Sequence, residues 1–369
     1  MATKIIKPVR RRAHFHKLAV TTVDELTDDA VAVGFEVPAE LRRDFGFRAG
    51  QHLTLRRPGE DDVRRSYSIC STPSELEAGR LRIGVRLVPG GAFSTYLHEQ
   101  LKPGDLLEVM PPLGHFTTGF TPGRARHYAA VVAGSGITPV LSLLRTGLRT
   151  EPDSRFTLLY GNRYARSVMF VEELADLKDQ HPRRFTIAHV LSREPQEAEL
   201  YSGRLDPPRL TRILDSVLPP DDVDEWFLCG PQGLVDGARD VLAARGVPAA
   251  HVHIELFFAE GEEDDRRTAV PPPADDADAA EVTIVLDGRA SSFRMGRAER
   301  VLDAARRVRG EVPFACTGGV CGTCRAKLLE GEVTMARNYA LEPDELANGY
   351  VLTCQSTPVK DPIVLDYDA

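Results

Sequence analysis

Apolar residues fall on every second position at Val31, Val33, Phe35 and Val37, and again at Leu81, Ile83, Val85 and Leu87. That period belongs to strands with one buried face. Arg57-Pro58-Gly59, Pro89-Gly90-Gly91 and Lys102-Pro103-Gly104-Asp105 supply turns between such runs. Residues 14–122 are therefore predicted to form a small antiparallel β-barrel. After Thr121-Pro122-Gly123 the pattern changes. Apolar strands at 127–133, 155–160, 184–191 and 225–229 alternate with helical stretches at 140–148, 170–178 and 234–244. Such alternation predicts an α/β, doubly wound and mostly parallel sheet over 123–260. A strand at 282–286 and a helix at 301–308 open a third, α+β domain that runs to residue 369. A multidomain chain is what 369 residues lead one to expect.

Composition adds limits. A hydrophobic share of 42% and a charged share of 27% belong to a soluble globular protein, and no apolar run approaches a membrane span. The cytoplasm is the default location. Residues 1–13 carry Lys4, Lys7, Arg10, Arg11 and Arg12. So short a basic stretch reads as a solvated tail and not as a nucleic-acid arm. Residues 261–281 hold eight acidic side chains against Arg266 and Arg267, together with Pro271-Pro272-Pro273 and no apolar period. They read as a self-repelling linker whose r.m.s. span as a coil is on the order of 25 Å, long enough for the last domain to swing. The domain at 282–369 has twelve acidic and eleven basic residues, so it is nearly neutral. Recognition by strong electrostatic steering is not expected of it.

Four of the six cysteines change the picture most. Cys316, Cys321 and Cys324 form C-x4-C-x2-C, and Cys354 follows. The loop Cys316-Thr317-Gly318-Gly319-Val320-Cys321-Gly322-Thr323-Cys324 is rich in small residues that let backbone N–H groups turn toward sulfur. This spacing resembles that of plant-type [2Fe–2S] ferredoxins, in which all four thiolates hold two irons and electrons move singly. A zinc site is the competing reading, although structural zinc usually takes two close cysteine pairs and here only Cys321 and Cys324 make one. Disulfides do not suit a chain without a secretory signal, and a Rieske centre would need two histidines. Cys70 and Cys229 lie apart from this set.

Other strings have coherent chemistry and plainer alternatives. In Arg65-Ser66-Tyr67-Ser68 a guanidinium could meet a pyrophosphate, an aromatic ring could cover a flavin, and a hydroxyl could reach it. The same residues could be ordinary strand positions. Ala133-Gly134-Ser135-Gly136-Ile137-Thr138-Pro139 follows a strand and opens a helix, which suits close approach of a pyrophosphate or an unliganded turn. Proline at the end departs from G-x-G-x-x-G and argues against a standard dinucleotide dehydrogenase fold. Ser192-Arg193 and Arg163 offer hydroxyl and cationic donors of the kind a 2′-phosphate needs. Surface arginines at strand ends are the alternative.

Taken in order, these strings resemble the ferredoxin–NADP reductase superfamily extended by a C-terminal ferredoxin module, as in oxygenase reductases. Within that class the chain is similar to the reductase subunits of phenylacetyl-CoA epoxidases. His14-Phe15-His16-Lys17-Leu18, Arg64-Arg65-Ser66-Tyr67-Ser68-Ile69-Cys70, Val109-Met110-Pro111-Pro112, His189-Val190-Leu191-Ser192-Arg193-Glu194 and Asn338-Tyr339-Ala340-Leu341 carry that likeness. The resemblance implies FAD held by Arg65, Tyr67, Ser68, Gly84, Val85, Arg86, Gly91, Phe93, Ser94 and Phe257, with FMN as an alternative. It implies NADPH, or else NADH, held by Gly134, Ser135, Gly136, Thr138, Asn162, Arg163, Ser192, Arg193, Cys229, Gly230 and Pro231. Ser68, Cys229 and Glu255 would position the reacting atoms. The ferredoxin module, a β-grasp fold, would bind its cluster through Cys316, Cys321, Cys324 and Cys354 and pass electrons to a di-iron oxygenase. A Rieske dioxygenase, a hydroxylase or a fatty-acid desaturase is the alternative acceptor. A nucleotide-binding redox sensor with a zinc module is the alternative of another class.

Overall fold

In the computed structural model, which describes residues 14–58, 63–257 and 279–369, the N-terminal alternating stretch forms six strands. They are β1 (His16–Thr27), β2 (Ala30–Glu36), β3 (His52–Arg56), β4 (Arg64–Ser68), β5 (Arg80–Arg86) and β6 (Leu106–Val109), joined in the order β4-β3-β6-β1-β2-β5. An isolated bridge from Ile69 to Ile83 ties the end of β4 to β5. Helices α1 (Pro73–Glu77) and α2 (Ala92–Glu99) lie in the connections.

Strand β2 has two buried faces where its alternation predicts one. Val31, Val33 and Phe35 fill the core of this sheet, while Ala30 and Ala32 belong to the core of the next. Small residues on that second face allow the close approach. A Cβ on Gly84, in the neighbouring β5, would stand 2.5 Å from Thr138 Cγ2 and 3.0 Å from Phe170 Cζ.

The second sheet contains β7 (His127–Ala133), β8 (Arg155–Asn162), β9 (Phe185–Leu191), β10 (Glu225–Gly230) and β11 (Val252–Leu256). Its order is β11-β10-β7-β8-β9 and every pair is parallel. Helices α3 (Ile137–Thr150), α4 (Val171–Gln180), α5 (Pro207–Ser216) and α6 (Gln232–Ala244) carry the returns. Central β7 is buried along almost all its length, as a strand covered on both faces must be. The chain winds outward through β8 and β9, then restarts on the other side of β7 with β10. The carboxyl ends of β7 and β10 therefore flank a topological switch point, where open α/β sheets bind ligands. The two sheets lie in one compact unit within Lys17–Arg266. Ala49, Cys70 and Phe116 of the first segment pack with Tyr128, Leu141 and Phe227 of the second. Cys70 donates to the Arg82 carbonyl at 3.4 Å, and burial pushes its thiol up to about 12, so it is an inert core residue.

The other unit, within Arg267–Ala369, holds β12 (Ala280–Leu286), β13 (Arg289–Met295), β14 (Arg325–Met335), β15 (Tyr350–Leu352) and β16 (Ser356–Asp366). Their order is β13-β12-β16-β14-β15, with β12 and β16 parallel and the other pairs antiparallel. Helix α7 (Val301–Val308) buries Val301, Leu302, Ala304 and Ala305, and α8 (Pro343–Ala347) precedes β15. The basic tail at 1–13 and residues 261–278 of the predicted linker lie outside the described residues; Ala280 and Glu281 already belong to β12. Among the described residues, no helix is long and apolar enough to cross a membrane.

Candidate functional site

Strand β4 is buried at its two ends, Arg64 and Ser68, and half-buried at Arg65, Ser66 and Tyr67 between them. The Tyr67 ring stacks on Phe93 with centroids 6.2 Å apart and planes at 22°. Arg65 is half-buried and donates from Nη1 to the Arg64 carbonyl at 2.8 Å. Phe93 itself is a core residue of α2, so it supports Tyr67 from below. Gly91 caps α2 without a side chain, and Ser94 closes the turn by donating to the Gly91 carbonyl and accepting from Val88 N–H, both at 3.2 Å. The first-turn amides of α2 thus stay available to an anion. In β5, Val85 points into the core and Arg86 is committed to Asp29 at 3.0 and 3.2 Å and to the Ser167 carbonyl at 3.1 Å. That pairing holds the Asp29 carboxyl below its ordinary value despite partial burial.

At the switch point, β7 ends in the single turn Gly134–Gly136 and α3 begins. Gly134 takes φ +56°, and its carbonyl accepts from the Tyr160 hydroxyl at 2.9 Å. The Thr138 hydroxyl donates to the Ser135 carbonyl at 2.9 Å. Any side chain on Gly136 would overlap the Cys229 carbonyl, so the turn after β7 meets the end of β10 backbone to backbone there. On the far side of β8, Ser192 N–H donates to Asn162 O and Arg193 N–H to Arg163 O, both at 2.9 Å. This pairing brings Ser192 and the exposed Arg163 and Arg193 to adjacent strand ends. The Asn162 amide beside them is buried, with neither Oδ1 nor Nδ2 hydrogen-bonded.

Three predicted positioning residues are connected through one that sequence reading missed. Ser68 is the register partner of His52 on β3, and Cys229 is the register partner of Glu255 on β11. His52 Nδ1 lies 3.7 Å from Glu255 Oε1. The other oxygen, Oε2, is buried without a hydrogen-bond partner. Cys229 is fully buried, and burial first, then the Glu255 charge, raises its thiol well above the ordinary value. It is therefore a neutral thiol beside a carboxyl group. Phe257 continues the β11 line, donating from its N–H to the Gly230 carbonyl at 3.0 Å. The only sequence signal for His52 was a lone polar aromatic residue opening an apolar strand.

In the second unit the four cysteines come as two pairs. Cys316 and Cys321 cross-bond, each N–H reaching the other's sulfur at 3.5 and 3.4 Å. Contact with Cys321 and burial raise the Cys316 thiol, and contact with Cys324 and burial raise that of Cys354. Among the described residues, no group of three or more histidine, cysteine, aspartate or glutamate side chains is arranged to hold one metal ion. Two pairs of thiols suit two irons better than one tetrahedral zinc. The Thr323 hydroxyl, inside the loop, is buried with no protein partner.

Comparison with known proteins agrees with this division. Residues 17–118 match an oxidoreductase FAD-binding domain, 131–240 an oxidoreductase NAD-binding domain, and 284–359 a 2Fe-2S iron-sulfur cluster binding domain. The chain is 43% identical to a component of the 1,2-phenylacetyl-CoA epoxidase of Escherichia coli (strain K12), over 96% of this chain and 98% of that protein. It belongs to the flavin and iron–sulfur reductases of oxygenase systems. The reductase is also 35% identical to the ferredoxin reductase component of 3-ketosteroid-9-alpha-monooxygenase from Rhodococcus rhodochrous, over 95% of this chain and 96% of that one. Among solved structures it is similar to phthalate dioxygenase reductase, with a TM-score of 0.56 and 25% identity over 95% of this chain and 98% of that chain. The fit of the three cofactors rests on the reductase's own groups. Buried polar atoms without protein partners lie among the residues that the resemblance assigns to each cofactor: Glu255 Oε2, the Asn162 side-chain amide, and Thr323 Oγ1 within the cysteine loop.

Proposed function

We propose that this reductase takes electrons from NADPH and delivers them to the di-iron oxygenase of a phenylacetyl-CoA epoxidase. The observation that carries the acceptor is the 43% identity to a component of that enzyme, sustained over nearly all of both chains. Ser192, Arg193 and Arg163 at neighbouring strand ends support NADPH, since two guanidinium groups and a hydroxyl suit a 2′-phosphate better than a free ribose hydroxyl. When bound, NADPH supplies a hydride, FAD accepts two electrons and releases them singly, and the cluster carries one at a time.

The chain's residues bind, orient and shield. Arg65 and the α2 amides would hold the FAD pyrophosphate, and Tyr67 would cover the ring system from its seat on Phe93. Ser68, Cys229 and Glu255 would line the point where the nicotinamide meets it, with Cys229 neutral and Glu255 braced by His52. Gly134, Ser135, Gly136 and Thr138 would take the NADPH pyrophosphate, and Gly230-Pro231 would close the seam. Gly84 keeps the sheets close, while Val85 and Arg86 offer backbone to the cofactor because their side chains are engaged elsewhere. Cys316 with Cys321 would hold one iron and Cys324 with Cys354 the other. The bridge from Ile69 to Ile83 supports closure of the first sheet, within 14–122, as a barrel. The mixed sheet, with α7 packed into its core, supports a β-grasp reading of 282–369. Four reduced thiols and NADPH suit the cytoplasm.

The test is reconstitution. Purified reductase, the oxygenase components of phenylacetyl-CoA epoxidase and phenylacetyl-CoA are mixed, and substrate loss is followed with NADPH or NADH. Oxygenation that is faster with NADPH is expected. Transfer to a steroid monooxygenase but not to the epoxidase would assign the chain to the other group of relatives.

A further inference from the structure

Gln355 follows the last cluster cysteine and is almost wholly buried. Its Nε2 donates to the Thr317 carbonyl at 2.7 Å and to the Cys354 carbonyl at 3.0 Å, and it also lies 3.7 Å from Cys354 Sγ. One side-chain amide therefore joins the loop carrying Cys316, Cys321 and Cys324 to the segment carrying Cys354.

Two features show that the loop is shaped around this side chain. Thr317, directly after Cys316, takes φ +50°, a left-handed conformation that is costly for a β-branched residue. Such a conformation persists where the surroundings hold it, and the Thr317 carbonyl is held by Gln355 and, at 3.5 Å, by Arg300 Nη1. Gly319 leaves the space that Gln355 occupies: a Cβ there would lie 3.0 Å from Gln355 Cγ. The backbone of Gln355 is fixed as well, through its N–H to Leu352 O at 2.9 Å and its carbonyl from Ala336 N–H at 3.0 Å. The amide is thus aimed by rigid neighbours on both sides.

We propose that Gln355 is a positioning residue for the cluster, which fixes the two ligand segments relative to each other and, through the one N–H it shares between the Cys354 carbonyl and sulfur, raises the cluster's reduction potential. This rests on the [2Fe–2S] reading of the four cysteines. A donor to a thiolate stabilises the reduced cluster more than the oxidised one, because the reduced cluster carries the extra negative charge. Removing it makes reduction harder.

The experiment uses the full chain with flavin and cluster in place. Iron and sulfide content of the unaltered protein tests the cluster reading on its own: two irons and two sulfides per chain are expected on that reading. Gln355→Met keeps length and apolar bulk but removes the donor. Its cluster potential, from a redox titration followed by EPR, is expected to fall by an amount matching about a tenfold change in the reduction equilibrium, about 59 mV for one electron. Thr317→Gly removes the strain that the amide restrains. A Thr317→Gly/Gln355→Met pair should therefore load its cluster even where Gln355→Met alone does not, and should still titrate below Thr317→Gly. A loaded Gln355→Met protein with unchanged potential, or a double variant matching Thr317→Gly, would overturn the proposal.

Discussion

His52 and Glu255 meet across the seam between the antiparallel and parallel sheets, with Nδ1 3.7 Å from Oε1 and both side chains largely shielded from water. Each sits opposite a residue that sequence reading had placed in the reaction site, Ser68 for His52 and Cys229 for Glu255. The pair therefore couples the two halves of the seam. Glu255→Gln is expected to slow reduction of the bound flavin by NADPH by roughly tenfold to a hundredfold, with little change in NADPH affinity. His52→Gln should have a smaller effect, and the two should couple by about 0.5–3 kcal/mol in a double-mutant cycle. Stopped-flow flavin reduction reads all three, and strict additivity would show that the residues act apart.

Gly136→Ala should injure both fold and site. The added methyl would overlap backbone at Cys229, which has no side-chain freedom with which to yield. Overpacking of this kind costs about 1–3 kcal/mol. Thermal unfolding should show the loss, and nicotinamide binding should weaken with it.

Arg193→Ala and Arg163→Ala are expected to raise KM for NADPH by roughly tenfold or more each, the scale of a lost charged hydrogen bond. KM for NADH should change little. Steady-state rates with both nucleotides check this, and equal losses for the two would place the arginines elsewhere.

Acid should destabilise the first unit through its histidines. Burial lowers the His127 and His189 values below the ordinary 6.5, and burial with the Arg184 charge lowers that of His181. His127 is held neutral, with Nδ1 2.8 Å from the Asp222 carbonyl and Nε2 2.8 Å from the Thr157 hydroxyl. Below pH 6.5 the unfolded chain binds protons that the folded chain refuses. The stability is thus full above that pH and declines as pH falls through the lowered folded values. Denaturant midpoints measured against pH should decline accordingly, and less steeply in His127→Gln.

Much of this was legible in the sequence where local rules decide. Central β7 and helix α7 occupy the predicted ranges, because an apolar run between glycines and a strong amphipathic period leave little choice. The spacing of Cys316, Cys321, Cys324 and Cys354 singled out four thiols that the structure brings together as the pairs Cys316–Cys321 and Cys324–Cys354. What escaped depends on distant partners. Strand β11 has no clear period, since its side chains are only partly buried at the sheet edge. Ala30 and Ala32 lie between the alternating apolar positions of β2, and only the second core packed against them buries that face. His52 and Gln355 are single polar residues whose roles come from groups 203 and 38 positions away.

The central claim is that reducing equivalents entering from NADPH leave as single electrons through the Cys316–Cys354 cluster. Its most direct measurement is anaerobic addition of NADPH to the purified, fully loaded chain, with the visible spectrum and EPR recorded together. Flavin bleaching accompanied by the paramagnetic signal of a reduced [2Fe–2S] cluster is the expected result. Flavin bleaching with no iron–sulfur signal, or a protein that carries zinc and no sulfide, would contradict it.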